Sequence, residues 1–262
     1  MKSKLAVQLY TLRDACQNDF PQVLRELKRM GWAGVQMAGY HEYDPEELAA
    51  VVRGLELQTA GLHISFGRIE GDLEEVMKEA RLFGTRDIVC PSIPVAYRTE
   101  EGFRYVKQTL NQAAAAMEEH GLRLSYHNHD FEFEIKADGC NGLEYLLKPS
   151  AENRILAEID VYWIKKVGLD PVLYMNPYAN RMPLIHLKDM AENEEPGFAE
   201  IGTGMIDFRP ILLWGERNGI EWYVVEQDEC RRDPMACVQT SYTNLTNMIR
   251  GLSASFEGGV RL

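Results

Sequence analysis

The sequence predicts a single (β/α)8 TIM barrel, and three observations carry that expectation. Short apolar or β-branched runs alternate eight times with longer amphipathic stretches, without a break in composition. Four amphipathic stretches end on a glycine (Gly31, Gly84, Gly121, Gly219) just before the next apolar run. Glycine takes the left-handed conformation that closes a helix, so each marks a helix-to-strand turn. The length, 262 residues, suits one such barrel, and the spacing allows the dozen or so residues that a parallel crossover needs.

The first strand is expected over Leu5–Tyr10, with its helix starting near Asp19-Phe20-Pro21 and Leu24, Leu27 and Met30 on one face. The second strand is Gly34–Ala38. Its helix opens at Asp44-Pro45-Glu46-Glu47, where a capping Asp, an early Pro and acidic first-turn residues favour initiation. Thr59–Ile64 precedes a helix from Asp72 to Phe83, and Asp87–Cys90 one from Thr99 to His120. Arg123–His129 precedes a helix around Leu143 to Leu147, and Ile155–Asp160 is the sixth strand. Leu184–Lys188 leads to a helix from Asp207 to Arg217, and Trp222–Glu226 to a closing helix from Pro234 to Ile249. Nothing divides the chain, so residues 1–262 read as one domain with a loosely held tail from about 251 to 262. An open doubly wound sheet would carry a glycine-rich phosphate turn after its first strand; here Tyr10-Thr11-Leu12-Arg13-Asp14 stands instead.

Hydrophobic residues at 45% and charged residues at 26% are the profile of a globular chain with a large core. No apolar run approaches the roughly 18 residues of a transmembrane span, and the start lacks a signal-peptide core, so a cytoplasmic protein with no membrane partner is expected. A net charge of -12 with no basic cluster speaks against nucleic acid as a partner. Five cysteines without CxxC spacing read as free thiols.

Active sites of such barrels lie at the C-terminal strand ends, and those ends are polar here. They carry His63; His127, His129, Asp130 and Glu132; Glu158 and Asp160; His186, Lys188 and Asp189; and Glu226 and Asp228. Carboxylates converging on an imidazole in a buried mouth call for a cation. We expect one divalent metal ion on Glu132, Asp160, His186 and Glu226. Oxygen ligands with one nitrogen and no sulfur favour Mn2+ foremost, with Mg2+, Co2+ or Zn2+ compatible. His63, His127, His129, Trp163 and Lys188 are expected substrate contacts. Each has a plainer reading: a satisfied core histidine for His63, support of a ligand for His127 or His129, a core cap for Trp163, and an interior ion pair with Glu158 for Lys188. Gly202-Thr203-Gly204 reads as an anion cradle or a plain turn, and Arg231-Arg232 as an anion clamp or a surface pair.

The segments His127-Asn128-His129-Asp130-Phe131-Glu132-Phe133, Ile159-Asp160-Val161-Tyr162-Trp163, His186-Leu187-Lys188-Asp189, Gly202-Thr203-Gly204-Met205-Ile206-Asp207 and Val225-Glu226-Gln227-Asp228 resemble the sugar isomerase/epimerase members of the xylose isomerase-like TIM-barrel superfamily. The likeness runs in order from Val7-Gln8-Leu9-Tyr10 to the last helix. It implies a Glu, Asp, His, Glu metal site, falling on Glu132, Asp160, His186 and Glu226, with Glu132 and Glu226 also carrying protons on opposite faces of a small sugar. Where many relatives have a Glu in the fifth strand this chain has His127, and where many have an acidic residue in the second it has Gln36. The implied function is a metal-dependent sugar or sugar-phosphate isomerase/epimerase working through an enediolate. A keto-sugar or inosose dehydratase is the alternative on the same site. Endonuclease IV shares the fold, but its trinuclear zinc site calls for more histidines than the six present. An inactive sugar-binding barrel is at odds with the retention of Glu132 and Glu226. A homo-oligomer is compatible with an apolar rim.

Overall fold

The computed structural model describes residues 1–192 and 197–257. Eight parallel strands close a barrel in the order β1, β8, β7, β6, β5, β4, β3, β2 and back to β1. They are β1 Leu5–Gln8, β2 Gly34–Met37, β3 Gln58–His63, β4 Asp87–Cys90, β5 Arg123–His127, β6 Leu156–Asp160, β7 Leu184–Leu187 and β8 Trp222–Val225. The expected single (β/α)8 barrel is the observed one. Several strands are a residue or two shorter at the C-terminal end than the apolar runs, because polar site residues there leave the ladder and turn into the mouth. His129 thus sits on the loop after β5.

The helices form for the reasons their sequences give. Asp44 caps α2 (Pro45–Gly54), accepting from the amides of Glu46 and Glu47. Gly31, Gly84, Gly121 and Gly219 all have positive φ. The first helix, α1 (Arg13–Met30), starts earlier than expected, but Asp19 is non-helical (φ -154, ψ 82) and caps a second segment through Gln22 N. The sequence cue at Asp19-Phe20-Pro21 therefore marks a restart within it. Beyond β6 lie two short helices that the sequence reading left unassigned, Val161–Lys166 and Pro171–Met175. The last helix, Pro234–Glu257, runs through residues expected to be loose, and the rest of that tail, 258–262, lies outside the described residues.

A large apolar layer joins the outside of the barrel to the helices, while the barrel interior holds a small cluster of Ala6, Ala60 and Val224 with Trp222 against it. Below it, Arg123 pairs with Asp87 and Glu221, closing the N-terminal end with charge. Above it the interior turns polar. The ladder between β2 and β3 shifts register at Val35/Gln36, where Gln36 pairs with Gly61. Gly61 has φ +152, and a Cβ there would lie 3.4 Å from Gln36 Nε2 and 3.3 Å from Asp87 O. Glycine at this point makes room for the Gln36 side chain inside the barrel. No described helix is long and apolar enough to cross a membrane.

Candidate functional site

Side chains alternate across each strand, so residues two apart share the barrel interior. Gln8 follows Ala6 in phase, Glu158 and Asp160 share a face, and so do His186 and Lys188. Asp160 and His186 are register partners on neighbouring strands. Gln8, Gln36, Glu158, Asp160, His186 and Lys188 have no solvent contact. They form two layers.

The lower layer centres on Glu158. Its Oε1 accepts from Gln36 Nε2 at 2.5 Å, and its Oε2 lies 2.8 Å from His63 Nε2, 3.4 Å from His127 Nδ1 and 3.3 Å from His186 Nε2. Burial raises the Glu158 carboxyl, but the His186 and His63 imidazoles and hydrogen bonds from His127 and His63 outweigh it, so the group stays well below the usual carboxylate range. The interior Glu158–Lys188 pair considered from sequence does not form. Lys188 instead reaches upward, because its Nζ finds three carboxylates there: Asp160 Oδ2 at 2.9 Å, Glu226 Oε2 at 2.8 Å and Asp228 Oδ1 at 3.1 Å.

The upper layer brings together His127, Asp160, His186 and Glu226, each offering one ligand atom within 4.8 Å of the others. A second group, His63, His127, Glu158 and His186, meets the same distance test. The upper group suits a divalent cation better. Asp160 commits Oδ1 to the amide of Tyr162, while Oδ2 has no aligned hydrogen bond. His186 Nδ1 lies 3.2 Å from Glu226 Oε2. Lys188 supplies one positive charge against the carboxyl groups of Asp160, Glu226 and Asp228, so the layer stays short of positive charge even with Asp228 protonated, and a divalent ion would supply it. Two imidazoles with two carboxylates form a donor set for Mn2+, Co2+, Fe2+ or Zn2+. The lower group, in contrast, already spends Glu158 on its neighbours.

A cavity of about 550 Å³ opens at the mouth, lined by Tyr10, His63, His127, His129, Glu226 and Asp228 among others. Of the expected site residues, Glu226, His63, His127 and His129 face it. Asp160, His186 and Lys188 lie beneath it. Glu132 stands apart: it is fully buried in the short helix Phe131–Glu134 and accepts from Tyr126 Oη at 2.8 Å and from the His129 amide at 2.9 Å. It is in neither ligand group. Burial raises its carboxyl to about 7, against the lowering effect of those hydrogen bonds. His129 packs beside Trp163 (ring centroids 5.3 Å), and both His129 Nδ1 and Trp163 Nε1 lack a hydrogen-bond partner among the described residues. Burial and the Lys188 charge lower His129 to about 4, so its imidazole is neutral at pH 7.

The glycine loop at 202–204 is indeed a cradle, but its anion is the chain's own. Asp189 accepts from the amides of Gly202, Gly204 and Ile206. Arg232 is tied to Glu200 and Thr240. The sequence reading gave no role to Gln8 or Gln36, which signal themselves only as amides at inward positions of otherwise apolar strands, and noted Asp228 at the end of the eighth strand without assigning it one. Charge on Glu226 and Asp228 diverges: burial raises both, but Lys188 and His186 hold Glu226 well below the usual range, while Asp228 remains raised beside it.

No family model matches the chain. In sequence it is similar to the inosose dehydratase of Clostridium beijerinckii, 23% identical over 251 residues that span 81% of this chain and 83% of that protein. It is also similar to the inosose dehydratase of Geobacillus kaustophilus, 26% identical over 266 residues, or 86% and 84% of the two chains. Among solved structures, a sugar phosphate isomerase/epimerase from Parabacteroides distasonis superposes with a TM-score of 0.79 at 23% identity, covering 94% of each chain. The resemblance drawn from the sequence motifs to the xylose isomerase-like barrels is thus matched in fold by this neighbour and in sequence by the dehydratases.

The raised Glu132 carboxyl has a consequence for stability. Its folded value, about 7, exceeds its unfolded value near 4.5, so between them the folded state binds more protons and stability falls as pH rises. Denaturant melts at pH 5 and pH 8 should show this fall, with a contribution on the order of 3 kcal/mol, and Glu132→Gln should flatten it. An unchanged pH dependence in the variant would contradict the assignment.

Proposed function

We propose that this barrel is a metal-dependent lyase that removes water from a polyhydroxy ketone, a keto-sugar or keto-cyclitol. The observation that carries the reading is the division of labour between Glu132 and His129. An epimerase working between two glutamates needs both at the substrate, whereas Glu132 is engaged by Tyr126 and the His129 amide outside the cavity. The proton carriers in the cavity wall that belong to neither ligand group are His129 and Asp228. The similarity to proteins named inosose dehydratase supports the same class.

His127, Asp160, His186 and Glu226 would hold the ion. When bound, it would supply Lewis-acid polarisation of the substrate carbonyl. The neutral His129 imidazole takes the proton from the carbon next to the carbonyl. Asp228, whose carboxyl is raised by burial and by the Glu226 charge, gives a proton to the β-hydroxyl, which leaves as water. Lys188 Nζ, 3.1 Å from both Asp228 oxygens, holds this carboxyl in place and stabilises the carboxylate left when its proton has gone. Tyr10 lines the cavity where the ring of the substrate would sit, and Trp163 packs beside His129.

The test is incubation of the manganese- or cobalt-loaded protein with a panel of ketoses and keto-cyclitols in deuterated water, followed by mass spectrometry. The account expects a product lighter by one water. Deuterium uptake without loss of water would replace it with the isomerase/epimerase reading. A second check is mutational: His129→Gln should lower turnover by about 10²–10⁴-fold with metal uptake unchanged, while Glu132→Gln should keep most activity. Equal losses in the two variants would return Glu132 to the chemistry.

A further inference from the structure

The amide of Tyr10 can only donate a hydrogen bond, and it does so to Gln8 Oε1 at 3.2 Å. That contact orients the whole Gln8 amide. Its Nε2 must then face Gln36, and it donates to Gln36 Oε1 at 2.7 Å. Gln36 in turn presents Nε2 to Glu158 Oε1 at 2.5 Å. The chain of amides is thus pinned at its Tyr10 end and admits one arrangement of protons. His186 Nε2 lies 2.7 Å from Gln36 Oε1 and 3.3 Å from Glu158 Oε2. Both neighbours are acceptors, so this nitrogen must carry a proton. Nδ1 is then the ring nitrogen able to present a lone pair beside Glu226 Oε2, 3.2 Å away. While it carries a proton it donates to that carboxylate, and an ion bound there would take that proton's place.

We propose that Gln8 and Gln36 are positioning residues that fix the tautomer of His186, a backbone amide at the end of β1 dictating through two side-chain amides that Nδ1, and not Nε2, is the metal-binding nitrogen. The inference rests on the reading of the upper group as the metal site. It gives a role to Gln36, which occupies a position where many relatives of the resembling superfamily carry an acid. A carboxylate at 36 could not donate to Glu158, and the relay would lose its polarity. Groups that orient a metal-ligating imidazole through its far nitrogen commonly change metal affinity by about 10–100-fold when removed.

Long-range proton–nitrogen NMR of the zinc-loaded, 15N-labelled protein tests this directly, with His186 assigned by the signals lost in His186→Gln. The expected pattern is a metal-shifted Nδ1 and a slowly exchanging proton on Nε2. Zinc titration should then show affinity about 10–100-fold weaker in Gln36→Leu. It should be weaker too in Gln8→Glu, which keeps the volume but forces the Gln36 amide to turn its NH2 toward His186. Thermal melts verify that each variant is folded, and the wild-type tautomer decides the matter even where a variant is not. Ligation through Nε2, or wild-type affinity in both folded variants, overturns the inference while leaving the metal site standing. Wild-type protein that takes up no zinc overturns the metal reading, and the inference with it.

Discussion

Glu158 carries a negative charge with no solvent contact, and the arrangement above it follows from how that charge is met. Two imidazoles, His63 and His186, and the Gln36 amide lie on its two oxygens, with His127 slightly farther off. An ionised carboxylate in such a place is tolerated only when donors surround it. Those donors are not interchangeable. Each imidazole that turns one nitrogen down to Glu158 turns the other up to the mouth, so the lower layer decides which atoms the upper layer offers.

The upper layer holds the opposite imbalance. Asp160, Glu226 and Asp228 face one ammonium, Lys188. A divalent ion among His127, Asp160, His186 and Glu226 would restore balance, leaving Lys188 to hold Asp228 at the cavity edge. The small interior residues Ala6, Ala60 and Val224 form the floor that gives both layers room. Glu132, although acidic and near in sequence, is buried within the helix Phe131–Glu134 with Tyr126 as its partner. The fold thus separates carboxylates by environment: Asp160, Glu226 and Asp228 gather at Lys188, and Glu132 is set apart with Tyr126 and the His129 amide.

The barrel was legible because its grammar is local. Eight apolar runs, four helix-closing glycines and the Asp44 cap each act over a few residues, and period alone reveals them. That Asp160, His186 and Glu226 would lie together was legible for the same reason, as polar residues interrupting strand ends. Glu132 was misleading at short range: counting along the fifth strand cannot show that the strand stops at His127 and that the next turn carries Glu132 away from the cavity. Gln8 and Gln36 were invisible as chemistry because an amide in a strand has no signature of its own. Gln36 takes its meaning from hydrogen bonds to Glu158 and His186, 122 and 150 residues distant in the chain, and Gln8 from its bond to Gln36. The Gly202–Gly204 loop looked open to an outside anion because Asp189, which fills it, is brought there only by the fold.

The central claim is that the two layers divide into a ligand set above and an orienting set below. Anomalous diffraction from crystals grown with manganese or zinc tests it most directly. The account predicts one strong peak among His127, Asp160, His186 Nδ1 and Glu226, with Glu158 still bonded to Gln36 and His63. A peak bound by Glu158 together with His63, or by Glu132, would contradict it.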